Sequence, residues 1–252
     1  MSNASPNQLI SNRAQQSTRY LSVDILRGVA IVMMIAFHFT YDLNYFHFVT
    51  ADFYHDPFWL NFRTLILSLF LVLVGFSLQL AAAHKLNYRR HLRRLALLIG
   101  AAVAVTVGSF LIFPDMVILF GVLHFIALAS VLGLLFLRFY WINLLLGVGV
   151  VVLDLWFQHA WFNQPAWHWI GLMTHKPTTL DYVPLLPWFG VVLVGMFLAR
   201  LALKYELLST TNRGGNSLTL LLALSGRHSL FIYIIHQPLF FGILYLVRLV
   251  FW

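Results

Sequence analysis

Arg27, His38 and Asp42 stand in one apolar run, DILRGVAIVMMIAFHFTYD, that is long enough to cross a bilayer. Titratable groups are costly at membrane depth, and where they occur they mark cavities, substrate paths or partner groups. Arg27 and His38 are eleven residues apart, three helical turns with roughly 20° of rotation left over at about 100° per residue. His38 and Asp42 form an i, i+4 pair. Asp24, Arg27, His38 and Asp42 therefore define one polar stripe along the helix, with Ile31 and Met34 between them. A carboxylate beside an imidazole fixes its tautomer and raises its basicity, so His38 with Asp42 reads as a general base and its orienter. The competing reading is a histidine that hydrogen-bonds a neighbouring helix as packing glue.

Other segments carry similar groups. His124, in FGVLHFIALAS, falls in the outer half of the fourth apolar stretch. In SGRHSLFIYIIHQP, Ser225 and Gly226 read as a helix start, Arg227 and His228 as its inner mouth, and His236 as a buried group further along. Pro238 removes one helical hydrogen bond and should free the carbonyl of Ile234 beside His236. Were the chemistry an acyl transfer, its oxyanion would need donors, which His124, His236 or Gln79 could supply. The chain has no cysteine and no Gly-x-Ser-x-Gly elbow. Disulfides, thiolate metal sites and cysteine nucleophiles are thus excluded, and histidine-assisted direct transfer is more economical than an acyl-enzyme. No His-x3-His or His–Glu pairing occurs within a segment, so no metal site is expected. The basic stretch HKLNYRRHLRR, with Arg89, Arg90, Arg93 and Arg94, reads either as an anchor on lipid phosphates or, together with Arg227, as a phosphate clamp. Acetyl-coenzyme A would suit such a clamp.

The elements that must position these groups follow from composition. Of 252 residues, 61% are hydrophobic and only 10% charged, against roughly 45–50% and about 25% in soluble domains. An all-α fold is expected: a polytopic membrane bundle of about seven spans, Val23–Leu43, Phe62–Ala83, Leu95–Phe113, Met116–Leu137, Ile142–Phe157, Val183–Leu203 and Ser229–Phe251. Residues 1–20 read as a polar cytoplasmic tail and 21–252 as one transmembrane domain. With the N-terminus inside, thirteen of the sixteen lysines and arginines fall on the inner face, and only Arg63, Lys176 and Arg248 lie outside. The net charge of +8 is therefore a topology signal, and nucleic acid is not expected as a partner. Two long outer stretches, 44–61 and 158–182, are rich in Trp, Tyr, Phe and His. They read as an aromatic belt at headgroup level or as a lid over an outward cavity that would stack on a sugar.

The spacing in LRGVAIVMMIAFH resembles the first-helix Arg/His motif of the acyltransferase-3 family, and SLFIYIIHQP resembles that family's late segment. A closer resemblance is to the bacterial inner-membrane family that shares the catalytic domain of heparan-alpha-glucosaminide N-acetyltransferase. It is carried, in order, by SVDILRGVAIVMMIAFHFTYDLNYF, SLFLVLVGFSLQL, FGVLHFIALAS, DYVPLLPWFGVVLVG and GRHSLFIYIIHQP. This resemblance implies an inner-membrane acyltransferase that moves acetyl from cytoplasmic acetyl-CoA to a sugar amine or hydroxyl at the extracytoplasmic side. It also implies that Arg27 and His38 form the catalytic pair. The enzyme for which the family is named is similar except that an asparagine stands where His38 does, its catalytic histidine lying in the loop before the second helix. In this sequence His47 and His55 occupy that loop, and HDPFWLN makes His55 the better counterpart. Either His38 is the base, or His55 is the base with His38 assisting. The expected partners are the bilayer and a small-molecule or glycan acceptor, with room for a homo-oligomer. The rival reading is a small transporter or lipid-binding protein whose stripe lines a path without catalysis.

Overall fold

Capping side chains decide where the helices begin. The computed structural model describes residues 20–208 and 216–251 and, among them, contains eight α-helices and no strand. These are α1 (Leu21–Tyr45), α2 (Pro57–Ala83), α3 (Tyr88–Ile112), α4 (Val122–Phe136), α5 (Trp141–Trp156), α6 (Leu185–Lys204), α7 (Ser217–Arg227) and α8 (Ser229–Phe251). By length and composition α1, α2, α3, α6 and α8 can each cross a bilayer, while α4, α5 and α7 are shorter apolar helices. The chain is an all-helical membrane bundle. The tail expected over residues 1–20 lies, Tyr20 excepted, outside the described residues, as does Arg213.

Several boundaries differ from those read in the sequence. α2 starts at Pro57 rather than Phe62, because Asp56 accepts from the Phe58 N–H at 2.8 Å and Pro57 sits in the first turn. Similarly, α3 starts at Tyr88 rather than Leu95, capped by Asn87, which accepts from the Arg90 N–H at 3.0 Å. The arginine run is therefore helix, and its members point to different sides. α4 starts late, at Val122, whose N–H is held by the Asp181 carboxylate at 2.8 Å. The largest correction is α7, where the sequence suggested only an inner connection. At 11 residues it is too short for the length of a span, yet Asn216 caps it by accepting from the Thr219 N–H at 3.0 Å. Ser225 and Gly226, expected to start the last helix, instead close α7, where the Ser225 hydroxyl donates back to the Leu221 carbonyl at 3.0 Å.

Two glycine crossings set the packing. Gly75 on α2 backs onto the Val192 carbonyl of α6, and Gly195 on α6 backs onto the Val72 carbonyl of α2. Small residues let helix backbones meet in the membrane. The α1–α7 pair uses the same device: Gly28 faces Leu222 and Gly226 faces Asp24, so α7 runs antiparallel along the first half of α1. α8 then returns beside α1, with Gln237 reaching Asp42 and Phe241 packing on Phe46. Leu71, Phe125, Leu193 and Met196 fill the core between α2, α4 and α6. A second cluster of Ile31, Met34, Phe37, Phe53 and Ile66 joins α1 and α2 to the first aromatic loop. Leu97, Val103, Phe110 and Leu111 of α3 remain exposed, as a lipid-facing side requires.

Candidate active site

A cavity of about 2470 Å³ runs through the bundle, well above the roughly 300–1,000 Å³ of ordinary ligand pockets. Arg90 and Arg94, from the first turns of α3, line one end of it. Tyr54 and Arg63, from the loop before α2 and its first turns, line the other. All four groups of the first-helix stripe, Asp24, Arg27, His38 and Asp42, lie on its wall.

At the basic end Asp24 is buried between two guanidinium groups. Arg27 Nη1 and Arg227 Nε each donate to its carboxylate at 3.1 Å, and Arg27 Nη2 donates to the Ser77 hydroxyl at 2.8 Å. This triad, whose carboxylate is buried while Arg227 is partly exposed, ties α1 to the end of α7. Arg94 is enclosed by the bundle yet keeps an accessible surface, because it faces the cavity. Its charge is close enough to that of Arg27 to be felt there. Arg90, Lys85, His84 and His91 complete this wall. Cations outnumber the single carboxylate, so this end favours an anion.

The centre of the cavity holds two histidines. The rings of His38 and His236 meet edge to face, 5.0 Å between centroids. His236 Nδ1 lies 2.7 Å from the Tyr233 carbonyl. A carbonyl can only accept, so Nδ1 carries the proton and Nε2 is left with its lone pair. The Ile234 carbonyl, which Pro238 was expected to free beside His236, is not the group it meets; the imidazole bonds the Tyr233 carbonyl. Nε2 is buried and makes no hydrogen bond with the described protein. Asp42 does not orient His38, which corrects the base–orienter reading. Its Oδ1 accepts from Gln237 Nε2 at 2.6 Å, and no hydrogen bond joins it to His38. Asp42 Oδ2 and Gln237 Oε1 are likewise buried without a partner. Three buried acceptor atoms on α1 and α8 thus have no partner among the described residues.

The bond to Asp42 has a measurable consequence. Gln237→Leu removes it and should lower stability by about 1.5–3 kcal/mol, the range for a hydrogen bond to a charged group. Thermal unfolding in detergent checks this. Adding Asp42→Asn to that variant should recover part of the loss, since the stranded buried charge is then gone.

Other expected site residues are not brought to the cavity. His55 sits in the loop between α1 and α2 with its side chain 85% exposed, paired with Asp52 at 3.0 Å, where the Tyr54 and His55 N–H groups hold the Asp52 carboxyl below the usual carboxylate range. His124 is saturated: Nδ1 accepts from the Gly121 N–H at 3.3 Å and Nε2 lies 3.1 Å from the Thr106 hydroxyl. It closes the turn into α4 rather than facing the cavity. Gln79 is buried and reaches the Leu137 carbonyl at 3.5 Å. Neither it nor His124 meets the cavity that an oxyanion would occupy. Of the α3 arginines, Arg90 and Arg94 face the cavity, while Arg89 and Arg93 do not. Among the described residues no group of three or more His, Cys, Asp or Glu could hold a metal ion. Gln237 and Tyr233 were missed in the sequence, although Tyr233, His236 and Gln237 at i, i+3, i+4 share one helix face.

The bundle defines a polytopic helical membrane protein with a large internal cavity. The family model for heparan-alpha-glucosaminide N-acetyltransferase, catalytic, matches residues 19–238, and the chain belongs to that family. It is accordingly a membrane enzyme of acetyltransferase type. No curated protein and no solved structure matches the chain.

Proposed function

We propose that the protein transfers an acetyl group from acetyl-CoA, entering at the basic and cytoplasmic end, to an amine or hydroxyl of a sugar acceptor held at the opposite face of a bacterial inner membrane. The observation that carries this reading is the single cavity that joins the arginine cluster to the His38–His236 pair and continues to the outer loops. Acetyl-CoA would supply an activated acetyl thioester. Arg27, Arg90, Arg94 and Arg227 hold its phosphates, a task suited to guanidinium forks. His38 lies on the cavity wall with both ring nitrogens free of hydrogen bonds to the described protein. It takes the proton that the acceptor loses as its N or O bonds to the acetyl carbonyl, the thioester C–S bond breaks, and the departing CoA sulfur takes that proton from His38.

The control for the donor site is built into α3. Arg94→Gln should weaken CoA binding by about tenfold or more, equivalent to about 1.4 kcal/mol. Arg93→Gln, one residue away and off the cavity, should leave it unchanged. Titration of the reconstituted protein with CoA reads both. Equal effects of the two variants would remove the clamp, and no saturable CoA binding at all would favour a transport path in place of catalysis.

A further inference from the structure

An acyl transfer puts negative charge on the carbonyl oxygen of the group being moved, and the fold leaves none of the three groups expected to steady that charge in a position to do so. His124 and Gln79 do not meet the cavity. His236 does, but its proton sits on Nδ1 against the Tyr233 carbonyl, so it has no N–H to offer. Tyrosine hydroxyls are the next donors to consider. Tyr41 and Tyr54 are joined to each other at 2.9 Å, and Tyr182 donates to the His168 carbonyl at 2.8 Å. Tyr20 and Tyr45 line the cavity only from the two ends of α1.

Tyr233 is different. It stands on α8 one turn before His236, between that residue and Arg227 in the chain. Its ring centroid lies 5.7 Å from that of His236, which in turn lies 5.0 Å from that of His38. The side chain is enclosed by the bundle yet keeps accessible surface, because it faces the cavity. Its hydroxyl makes no hydrogen bond among the described residues and does not belong to the buried atoms left without one. The O–H therefore opens on accessible space. Asp181, from the loop before α6, is the carboxylate whose charge reaches Tyr233. Its Oδ2 accepts from the Val122 N–H at 2.8 Å. Desolvation pushes the Asp181 carboxyl up toward its neutral form, which limits the charge opposing an oxyanion there.

We propose that Tyr233 is a further catalytic residue, whose hydroxyl donates a hydrogen bond to the thioester carbonyl oxygen as that oxygen becomes an oxyanion. This rests on the acetyltransferase reading. The acceptor N or O bonds to the acetyl carbon, and the carbonyl π pair moves onto oxygen, where the Tyr233 O–H meets it. When that pair returns, the C–S bond breaks with its electrons on sulfur, which takes the proton that His38 received from the acceptor. Tyr233 keeps its own proton throughout. With the CoA phosphates among the arginines, the thioester approaches the histidines from the Arg227 side, the side on which Tyr233 stands. A donor fixed in an enclosed site meets the new charge without reorganising, so one hydroxyl has a large effect.

The test uses the full chain in phosphatidylcholine nanodiscs and acetyl-CoA carrying a carbon-13 carbonyl, whose thioester stretch is read by infrared difference spectroscopy. The stretch should lie at lower frequency in the native chain than in Tyr233→Phe. Phenylalanine keeps the ring on His236 and the backbone carbonyl that holds it, so acetyl-CoA affinity and the thermal midpoint should stay at their native values. Turnover with glucosamine as the probe acceptor should fall by about 10²–10³-fold in kcat. An equal stretch in the two chains, with acetyl-CoA bound to both, overturns the role of Tyr233 and leaves the acetyltransferase reading standing. A fall in turnover with an unshifted stretch overturns it too, because the hydroxyl would then act elsewhere in the cycle. No binding of acetyl-CoA to the native chain overturns both. If Tyr233→Phe does not fold, fluorotyrosine at position 233 alone, whose O–H is the stronger donor, should lower the frequency further, and an unchanged stretch overturns the proposal.

Discussion

His38→Ala is expected to lower transfer of labelled acetyl by about 10²–10⁴-fold, the usual worth of a general base, with CoA affinity at the wild-type value. The two readouts separate because the arginines and the imidazole belong to different stretches of the cavity. Arg27 and Arg94 belong to the basic end, whereas His38 sits three turns further along α1 beside His236. Alanine keeps the helix, and His38 holds no hydrogen bond whose loss would loosen the bundle. His55→Ala supplies the contrast. His55 is on the outer surface with Asp52 and off the cavity, so its loss should leave transfer unchanged. A large loss in His55→Ala with full activity in His38→Ala would move the base to the outer loop. His236→Ala should also lower transfer, since it removes the ring packed edge to face on His38.

Gly75→Val is expected to cost at least about 3 kcal/mol, the upper range for overpacking a close contact, and to abolish recovery of monodisperse protein from detergent. A Cβ at Gly75 would run into the Val192 carbonyl and lie 3.1 Å from the Met196 backbone nitrogen. Backbone cannot rotate aside as a side-chain end can, so α2 and α6 must separate. That crossing also buries Leu71, Leu193 and Met196, and opening it exposes the core of the bundle. Gly100→Val on α3 is the control, because nothing lies within 4 Å of a Cβ there. It should fold as well as the native chain. Size-exclusion profiles and thermal midpoints of the two variants decide the point.

The first-helix stripe was legible because a helix has one period. Given that Leu21–Tyr45 is helical, Asp24, Arg27, His38 and Asp42 must share a side, and all four do line the cavity. Helix boundaries were less legible where a side-chain cap intervened, as at Asp56 and Asn87, or where the helix was too short to register as a span, as with α7. Asp42 was assigned to His38 on spacing alone. A neighbouring position on one helix permits a hydrogen bond but does not compel it, and Gln237, 195 positions later, takes the carboxylate instead. His124 was misplaced for a related reason. Depth along a helix says nothing about which way a ring turns, and the Gly121 N–H and the Thr106 hydroxyl engage both of its nitrogens.

Composition and periodicity alone established a helical membrane protein, the side on which its arginines gather, and one helix face that carries Arg27 and His38. These are properties of hydropathy, charge count and helical pitch, and all three are local. Tertiary structure decided the rest: that Arg94 faces inward and Arg93 outward, that Arg227 shares Asp24 with Arg27, that His236 meets His38, and that Arg63 and Lys176 open on the same cavity. Those pairings join residues far apart in the chain, and they depend on how glycine crossings set the distance and rotation between helices, which no single segment encodes.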